Sequence, residues 1–256
     1  MIKAVFFDID GTLLDNFYKV SQSTIDSLNK LKEKGIKIVI STGRGIKETR
    51  SLGFLDIGFD SYITLNGQLC YDRDLNLFFK NPINEKDSAI LIDYFRKGDF
   101  SLSIYTENGI YINHQDKNTK NAFKEINCPF FKESQYKDEK IYLATAFGKR
   151  ELRETFESIL KGCIVTYWGD YGMDIISKNG GKNIGIKEFL KKENINIEET
   201  MAIGDSDNDI DMLKLVNVGV AMGNGNDDIK KIADYITTDI NDDGIEKALQ
   251  HFGLID

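Results

Sequence analysis

The sequence predicts an α/β chain with a Rossmann-like, doubly wound parallel-sheet core, interrupted by an inserted α+β domain. Three observations carry this reading. Short apolar strands alternate with amphipathic helices from Val5 to Leu65, the grammar of parallel βαβ units. Hairpin signals replace that alternation between about residues 83 and 177, and the βαβ pattern returns at Gly180-Gly181. Several of the apolar strands also stop abruptly on polar clusters, as strands do at the ligand end of an open parallel sheet.

The first strand is Val5-Phe6-Phe7, apolar throughout and so expected to be buried on both faces. It runs into Asp8-Ile9-Asp10-Gly11-Thr12. Strand side chains repeat every two residues, so Asp8 and Asp10 are expected to point the same way as a buried pair of like charges. Such a pair raises one pKa or requires a cation. The plain alternative is a strand that stops at a polar turn, its aspartates only capping the next segment. Ser21 and Ser23 offer N-caps to a helix carrying Ile25, Leu28 and Leu31, closed by Gly35. Ile36 to Ile40 forms the second strand and ends in Ser41-Thr42-Gly43-Arg44, with a helix following through Leu52. Tyr62 to Leu65 ends in Asn66-Gly67, and Leu69 to Tyr71 with Leu77 to Phe79 resembles a hairpin.

The pattern changes at Asn81-Pro82. A helix from Glu85 stops near Gly98, strands 101–106 and 110–113 flank Glu107-Asn108-Gly109, and a weaker helix spans 118–125. Strand 141–147, helix 149–160 and antiparallel strands 164–168 and 173–177 complete the insertion. The core is therefore expected over 1–81 and 179–256, with the inserted domain over 83–177. In the second core segment a helix starts at Lys182. Strand Thr200 to Ile203 then ends in Gly204-Asp205-Ser206-Asp207-Asn208-Asp209, followed by a helix, strand 218–222, and a helical tail from Asp243.

Composition narrows the function classes. The chain has 256 residues, 41% hydrophobic, ample for packed cores. A net charge of −8 argues against nucleic acid as the main partner. Cys70, Cys128 and Cys163 are scattered without C-x-x-C spacing, as expected of reduced cysteines in a cytoplasmic protein. No stretch approaches the ~20 apolar residues of a membrane span.

The polar strand ends supply carboxylates, one lysine, one threonine hydroxyl and glycine-rich backbone. Lys182 follows two glycines at a helix N-terminus, where the dipole favours an anion and disfavours a cation unless an anion is near. Together these groups suit a divalent cation holding a phosphoryl group, and hard oxygen ligands without His or Cys suit Mg²⁺. Other readings fit less well. Asp205, Asp207, Asp209 and Asp211 alternate like a calcium loop, but Ile210 and Val216 stand where a glycine and a bidentate glutamate are required. Gly181-Lys182-Asn183 lacks the remaining parts of a P-loop, and the first βα turn lacks G-x-G-x-x-G. His114 and His251 have no partners at ligand spacing, and Tyr105, Tyr111, Phe130 and Phe131 read as core of the inserted domain. Trp168 and Tyr171 lie between two of its strands, where either could face a substrate.

D-I-D-G-T at 8–12, S-T-G-R at 41–44, Lys182 and G-D-S-D-N-D at 204–209 resemble the four motifs of the haloacid dehalogenase-like (HAD) phosphatases. With a large cap inserted after the third strand, the chain is similar to their Cof-type, type IIB-capped sugar-phosphatase branch over nearly its whole length. The resemblance implies Asp8 as nucleophile, forming an aspartyl-phosphate, and Asp10 as general acid and then general base. It implies Mg²⁺ held by the Asp8 carboxylate, the Asp10 carbonyl and Asp205, with Asp209 as a ligand through water or a loop support. It further implies phosphoryl contacts from Thr42, Gly43, Lys182 and Asn208 and from backbone N–H groups of Ile9 to Gly11. Arg44 is left between reaching substrate and pairing on its own helix, and Asn66 between a supporting role and ordinary turn chemistry.

The function implied is Mg²⁺-dependent hydrolysis of small phosphomonoesters, sugar phosphates or related metabolites, by a cytoplasmic enzyme, with the cap over the site setting substrate choice. Two alternatives stay open. One is a phosphomutase passing the phosphoryl group to another acceptor, and the other is a metabolite-binding regulator with an inert site. Neither the substrate nor the oligomeric state is legible in the sequence.

Overall fold

The computed structural model describes residues 1–15, 17–125, 132–148, 151–168 and 171–256. It divides into two compact units, one built from Met1–Lys80 and Gly181–Asp256, the other from Asn81–Gly180.

The first unit opens with β1 (Ala4–Phe7), all four residues buried. Next comes α1 (Gln22–Glu33), capped by Ser21, whose side chain accepts from the Thr24 amide. After β2 (Lys37–Ser41), α2 (Ile46–Ser51) stands where a helix through Leu52 is expected, and a further single turn α3 (Phe54–Ile57) follows it. Gly53, at φ 79°, separates them, because the left-handed backbone that suits glycine breaks a helix. Then come β3 (Ser61–Thr64), β4 (Leu69–Asp72) and β5 (Leu77–Lys80). The expected hairpin is present: β4 pairs antiparallel with both β3 and β5. The insertion follows β5, so the antiparallel strands β4 and β5 precede it.

The inserted unit contains α4 (Glu85–Lys97), β6 (Ser101–Tyr105), β7 (Ile110–Ile112) and α5 (Lys117–Glu125). It continues with β8 (Leu143–Phe147), α6 (Glu151–Ile159), β9 (Cys163–Trp168) and β10 (Gly172–Ser177). Its five strands form an antiparallel sheet in the order β7-β6-β8-β10-β9. Leu102, Ile104, Ala144, Ala146, Met173 and Ile175 from one sheet face pack with Leu91, Phe95 and Phe156 of α4 and α6. Tyr111 belongs to that core, and its hydroxyl donates to Glu139 Oε1 at 2.5 Å. Tyr105 is buried and Tyr171 packs partly buried against Phe147. Cys128, Phe130 and Phe131, and the Trp168 side chain, lie outside the described residues.

The core resumes with α7 (Lys182–Glu193), β11 (Thr200–Gly204), α8 (Ile210–Leu215) and β12 (Val218–Ala221). It ends with α9 (Asp227–Ile232), β13 (Tyr235–Ile236) and α10 (Gly244–His251). The eight-stranded sheet has the order β13-β12-β11-β1-β2-β3-β4-β5, parallel from β13 to β3. Phe6 of β1 meets Phe189 of α7 edge to face, with ring centroids 5.6 Å apart, inside a cluster that includes Ile186, Met212 and Leu213. Each such fully buried side chain contributes about 1.5–3 kcal/mol. The strand order starts at β1 and runs one way through β2 and the other way through β11. The carboxyl ends of β1 and β11, where the connections diverge, are thus the sheet's topological switch point, where folds of this class bind ligands.

His114 and His251 belong to no metal-like grouping among the described residues; His251 stacks on Tyr235 at 4.1 Å and the His114 carbonyl accepts from Ser101. Cys70 is buried and Cys163 partly so, and both are free thiols. Among the described residues no helix is long and apolar enough to cross a membrane.

Candidate active site

Asp8 follows β1, and its amide still donates to the Ile203 carbonyl of β11 at 3.1 Å, so the ladder carries it to the sheet edge. The chain then leaves the strand. Gly11, at φ 79°, turns where a Cβ would come within 2.3 Å of Asp205 Oδ2. Asp8 therefore stays buried while Asp10 swings outward, its side chain 47% exposed. This corrects the expectation of a same-facing buried pair: the two-residue repeat requires an extended strand, and β1 ends at Phe7.

Asp10 is held by Arg44, whose Nε and Nη2 donate to its two carboxylate oxygens, each at 2.7 Å. Arg44 thus pairs with the first motif, and it lies over the Tyr18 ring at 5.8 Å.

The centre of the site is Lys182, the first residue of α7. Its Nζ donates to Asp8 Oδ1 at 2.5 Å and Asp209 Oδ1 at 2.6 Å, and its side chain has no exposure. A cation at a helix N-terminus opposes the dipole, and two carboxylates offset that. Burial works against the Lys182 charge, yet Asp209 and Asp8 hold its pKa above the ordinary lysine value. Asp209 is saturated, because its Oδ2 accepts from the Asp205 and Ser206 amides at 3.0 and 3.2 Å. It braces the loop after β11.

Asp205 is different. The one hydrogen bond recorded to its carboxylate among the described residues is a long one, from Thr12 Oγ1 at 3.4 Å. Oxygens of Asp8, Asp205 and Asp209 lie within 4.8 Å of one another. Burial, and then the Asp8 charge, pushes the Asp205 carboxyl up to about 9. Burial likewise pushes Asp8 up to about 7, against the pull of Lys182. Three carboxylates against one ammonium, with the least partnered carboxylate the most perturbed, fit a hard divalent cation beside Asp8 and Asp205.

Thr42 is buried just past β2. Its amide donates to Ile63, and its hydroxyl accepts from the Arg44 amide at 3.1 Å and retains its own proton for donation. Beyond β3 the consecutive residues Leu65, Asn66 and Gly67 all have positive φ, near 51°, 52° and 83°. A leucine there is strained, and the turn it permits carries Asn66 back toward the second motif. The Asn66 amide donates to the Thr42 carbonyl, and Asn66 Oδ1 accepts from Asn208 Nδ2 at 3.1 Å. A Cβ on Gly43 would lie 3.3 Å from Asn66 Oδ1, and one on Gly67 would lie 2.1 Å from the Gly181 carbonyl. Asn66 thus links the loops after β2, β3 and β11, while Gly67 seats the start of α7. Asp207 and Asp211 are exposed, and Asp207 accepts from Asn226 Nδ2 at 2.8 Å.

Two participants carry no assigned role in the sequence reading. Thr12 approaches Asp205, and Asn224 Nδ2 donates to the Gly11 carbonyl at 2.7 Å while its Oδ1 accepts from the Ile240 amide. Asn224 stands between two glycines and looks like turn chemistry until its long-range partners are seen.

The family model for haloacid dehalogenase-like hydrolases matches residues 5–249. A solved HAD subclass IIB sugar phosphatase, BT4131, superposes with a TM-score of 0.89 at 31% identity, covering 99% of this chain and 100% of its own. BT1666 from Bacteroides thetaiotaomicron, described among phosphatases of the same superfamily, superposes with a TM-score of 0.90 at 31% identity, covering 100% and 96%. The 5-amino-6-(5-phospho-D-ribitylamino)uracil phosphatase YcsE of Bacillus subtilis (strain 168) is 28% identical over 99% of this chain and 96% of its own. With the model match spanning almost the full length, the chain belongs to the haloacid dehalogenase-like hydrolases, in their Cof-type, type IIB branch.

Proposed function

We propose that this phosphoric monoester hydrolase cleaves small phosphorylated metabolites, sugar phosphates foremost, through an aspartyl-phosphate on Asp8 with Mg²⁺ as cofactor. The observation that carries the reading is the buried Lys182 bridging Asp8 and Asp209 beside an under-partnered Asp205. The substrate class rests on the sugar phosphatase and the ribitylaminouracil phosphatase among the relatives.

The Asp8 carboxylate, the Asp10 carbonyl and Asp205 would hold the cation, which supplies charge neutralisation for a dianionic phosphate approaching a carboxylate. An Asp8 oxygen attacks phosphorus, the bond from phosphorus to the leaving oxygen breaks, and Asp10 gives that oxygen a proton. Water then attacks phosphorus, Asp10 takes its proton, and inorganic phosphate leaves a restored Asp8 carboxylate. Lys182 keeps Asp8 ionised and aimed. Thr42, Gly43, Asn208 and the Ile9 to Gly11 backbone steady the phosphoryl oxygens, because this chemistry depends on positioning and charge stabilisation. For Asp10 to carry a proton its carboxyl must leave Arg44, so that ion pair opens during turnover. The inserted unit is assigned substrate selection, and the enzyme is placed in the cytoplasm.

The test is a phosphate-release screen over phosphorylated metabolites with and without Mg²⁺. Metal-dependent release from sugar phosphates is expected. Isomerised sugar phosphate without free phosphate would favour a mutase, and stoichiometric binding without turnover a regulator.

A further inference from the structure

The opposite edge of the core sheet carries a second charged site. Around the amino ends of β2 and β3 lies a cavity of about 310 Å³, lined by Lys32, Gly35, Ile36, Lys37, Gly58, Asp60 and Arg73. Three of its side chains are cationic and one is acidic, in a chain whose net charge is −8. Lys37 is already answered by Glu193 at 3.0 Å and Asp60 at 4.0 Å. Asp60 is itself tied to the backbone, accepting from the Ile38 amide at 3.0 Å.

Lys32 and Arg73 are the remaining cations. Among the described residues neither has a carboxylate within ion-pairing distance; Lys32 Nζ donates to the Ile57 carbonyl. Both are nonetheless aimed at one point. A Cβ built on Gly58 would lie 3.8 Å from Lys32 Nζ and 3.7 Å from Arg73 Nη2. Gly58 has φ 76°, so the position is kept free of a side chain by the left-handed backbone. Two like charges brought together cost free energy unless an anion answers them. Burial and then the neighbouring Arg73 lower the Lys32 pKa from its ordinary value, against a smaller upward pull from Asp60, which pairs with neither cation within 4.0 Å.

We infer that this cavity is an oxyanion-binding site, taking a phosphate or carboxylate group between Lys32 and Arg73. A guanidinium fork and an ammonium are the pair of donors such a group uses best. The site is separate from the catalytic cluster, because β2 alone, five residues long, spans about 16 Å between the two edges. It does not depend on the phosphatase reading.

The test is titration of the full-length protein with orthophosphate and, separately, with citrate, followed by amide NMR shifts. Saturable shifts at Gly35, Gly58 and Asp60 are expected for at least one anion. Saturation by orthophosphate assigns a phosphate ligand and saturation by citrate a carboxylate, and either supports the site. Arg73→Gln and Lys32→Gln should each weaken that binding at least tenfold while leaving phosphate release from p-nitrophenyl phosphate within twofold. Shifts confined to the region of Gly11 and Thr42, or binding unchanged in both variants, would overturn the inference.

Discussion

Two ionic groups flank the first motif, and their surroundings separate their work. Lys182 with Asp8 and Asp209 is sealed from water, while Arg44 with Asp10 is bidentate but leaves Asp10 half open to solvent. In the buried group the charges cannot fall back on solvent, so removing one partner strands the others. In the second pair water can replace the contact at half-exposed Asp10, while the Arg44 side chain, 10% exposed, stays over the Tyr18 ring. The fixed pair suits a nucleophile that must be aimed, and the releasable pair suits a group that must move protons.

That contrast can be broken by experiment. Asp8→Asn should cut Mg²⁺-dependent turnover by on the order of a thousandfold or more, with unchanged circular dichroism. Turnover near normal in a phosphate-release assay would remove the nucleophile assignment. Lys182→Met should cost about 3–5 kcal/mol of stability in urea denaturation, because Asp8 and Asp209 are left buried without a counter-charge. A loss below about 1 kcal/mol would mean that the buried group behaves like the exposed one.

The same balance responds to pH without mutation. The carboxyls of Asp8 and Asp205 are raised from 3.8 to about 7 and about 9, so the metal-free fold binds more protons than the unfolded chain across that window. Stability from these groups is therefore greatest below about pH 4 and is lost as pH rises through 7 and 9. Chemical denaturation of metal-free protein between pH 5 and 9 should show the decline. Added Mg²⁺ should flatten it and release protons on binding, measurable in buffers of different ionisation enthalpy.

Gly67→Ala tests the seat of α7. Its positive φ and the 2.1 Å approach to the Gly181 carbonyl predict a loss of about 1–3 kcal/mol and weakened turnover, since Lys182 follows directly. The smallest effect belongs to Arg44→Gln, expected to change stability by less than about 1 kcal/mol in the same urea titration. A larger loss would show that the pair is structural rather than releasable.

How much of this was legible varies with the kind of information. The strands and helices of both units were readable because Val5-Phe6-Phe7, the Ser21 cap and the turn glycines act locally. Lys182 was readable as anomalous, since a lysine opening a helix asks for an anion. The outward swing of Asp10 was not readable, because a period of two says nothing about where the strand ends. The Arg44–Asp10 pair, the Asn66–Asn208 bond and the reach of Asn224 to Gly11 join segments far apart in sequence, and no local pattern encodes such partners. The pocket at Lys32 and Arg73 was hidden for the same reason: its residues come from four separate elements.

The separation of Asp8 from Lys182 by 174 positions also bears on how the chain folds as it is made. β1 can pair with β2 early, but its other neighbour, β11, and the lysine that answers Asp8 are synthesised only after the whole insertion. Until then the nascent core presents an unpaired strand edge and an uncompensated carboxylate, and closing so long a loop is slow. Completion of the sheet and neutralisation of Asp8 therefore arrive together, late in synthesis. Truncated chains ending before Lys182 should be insoluble or chaperone-bound, even though they contain the first two motifs intact.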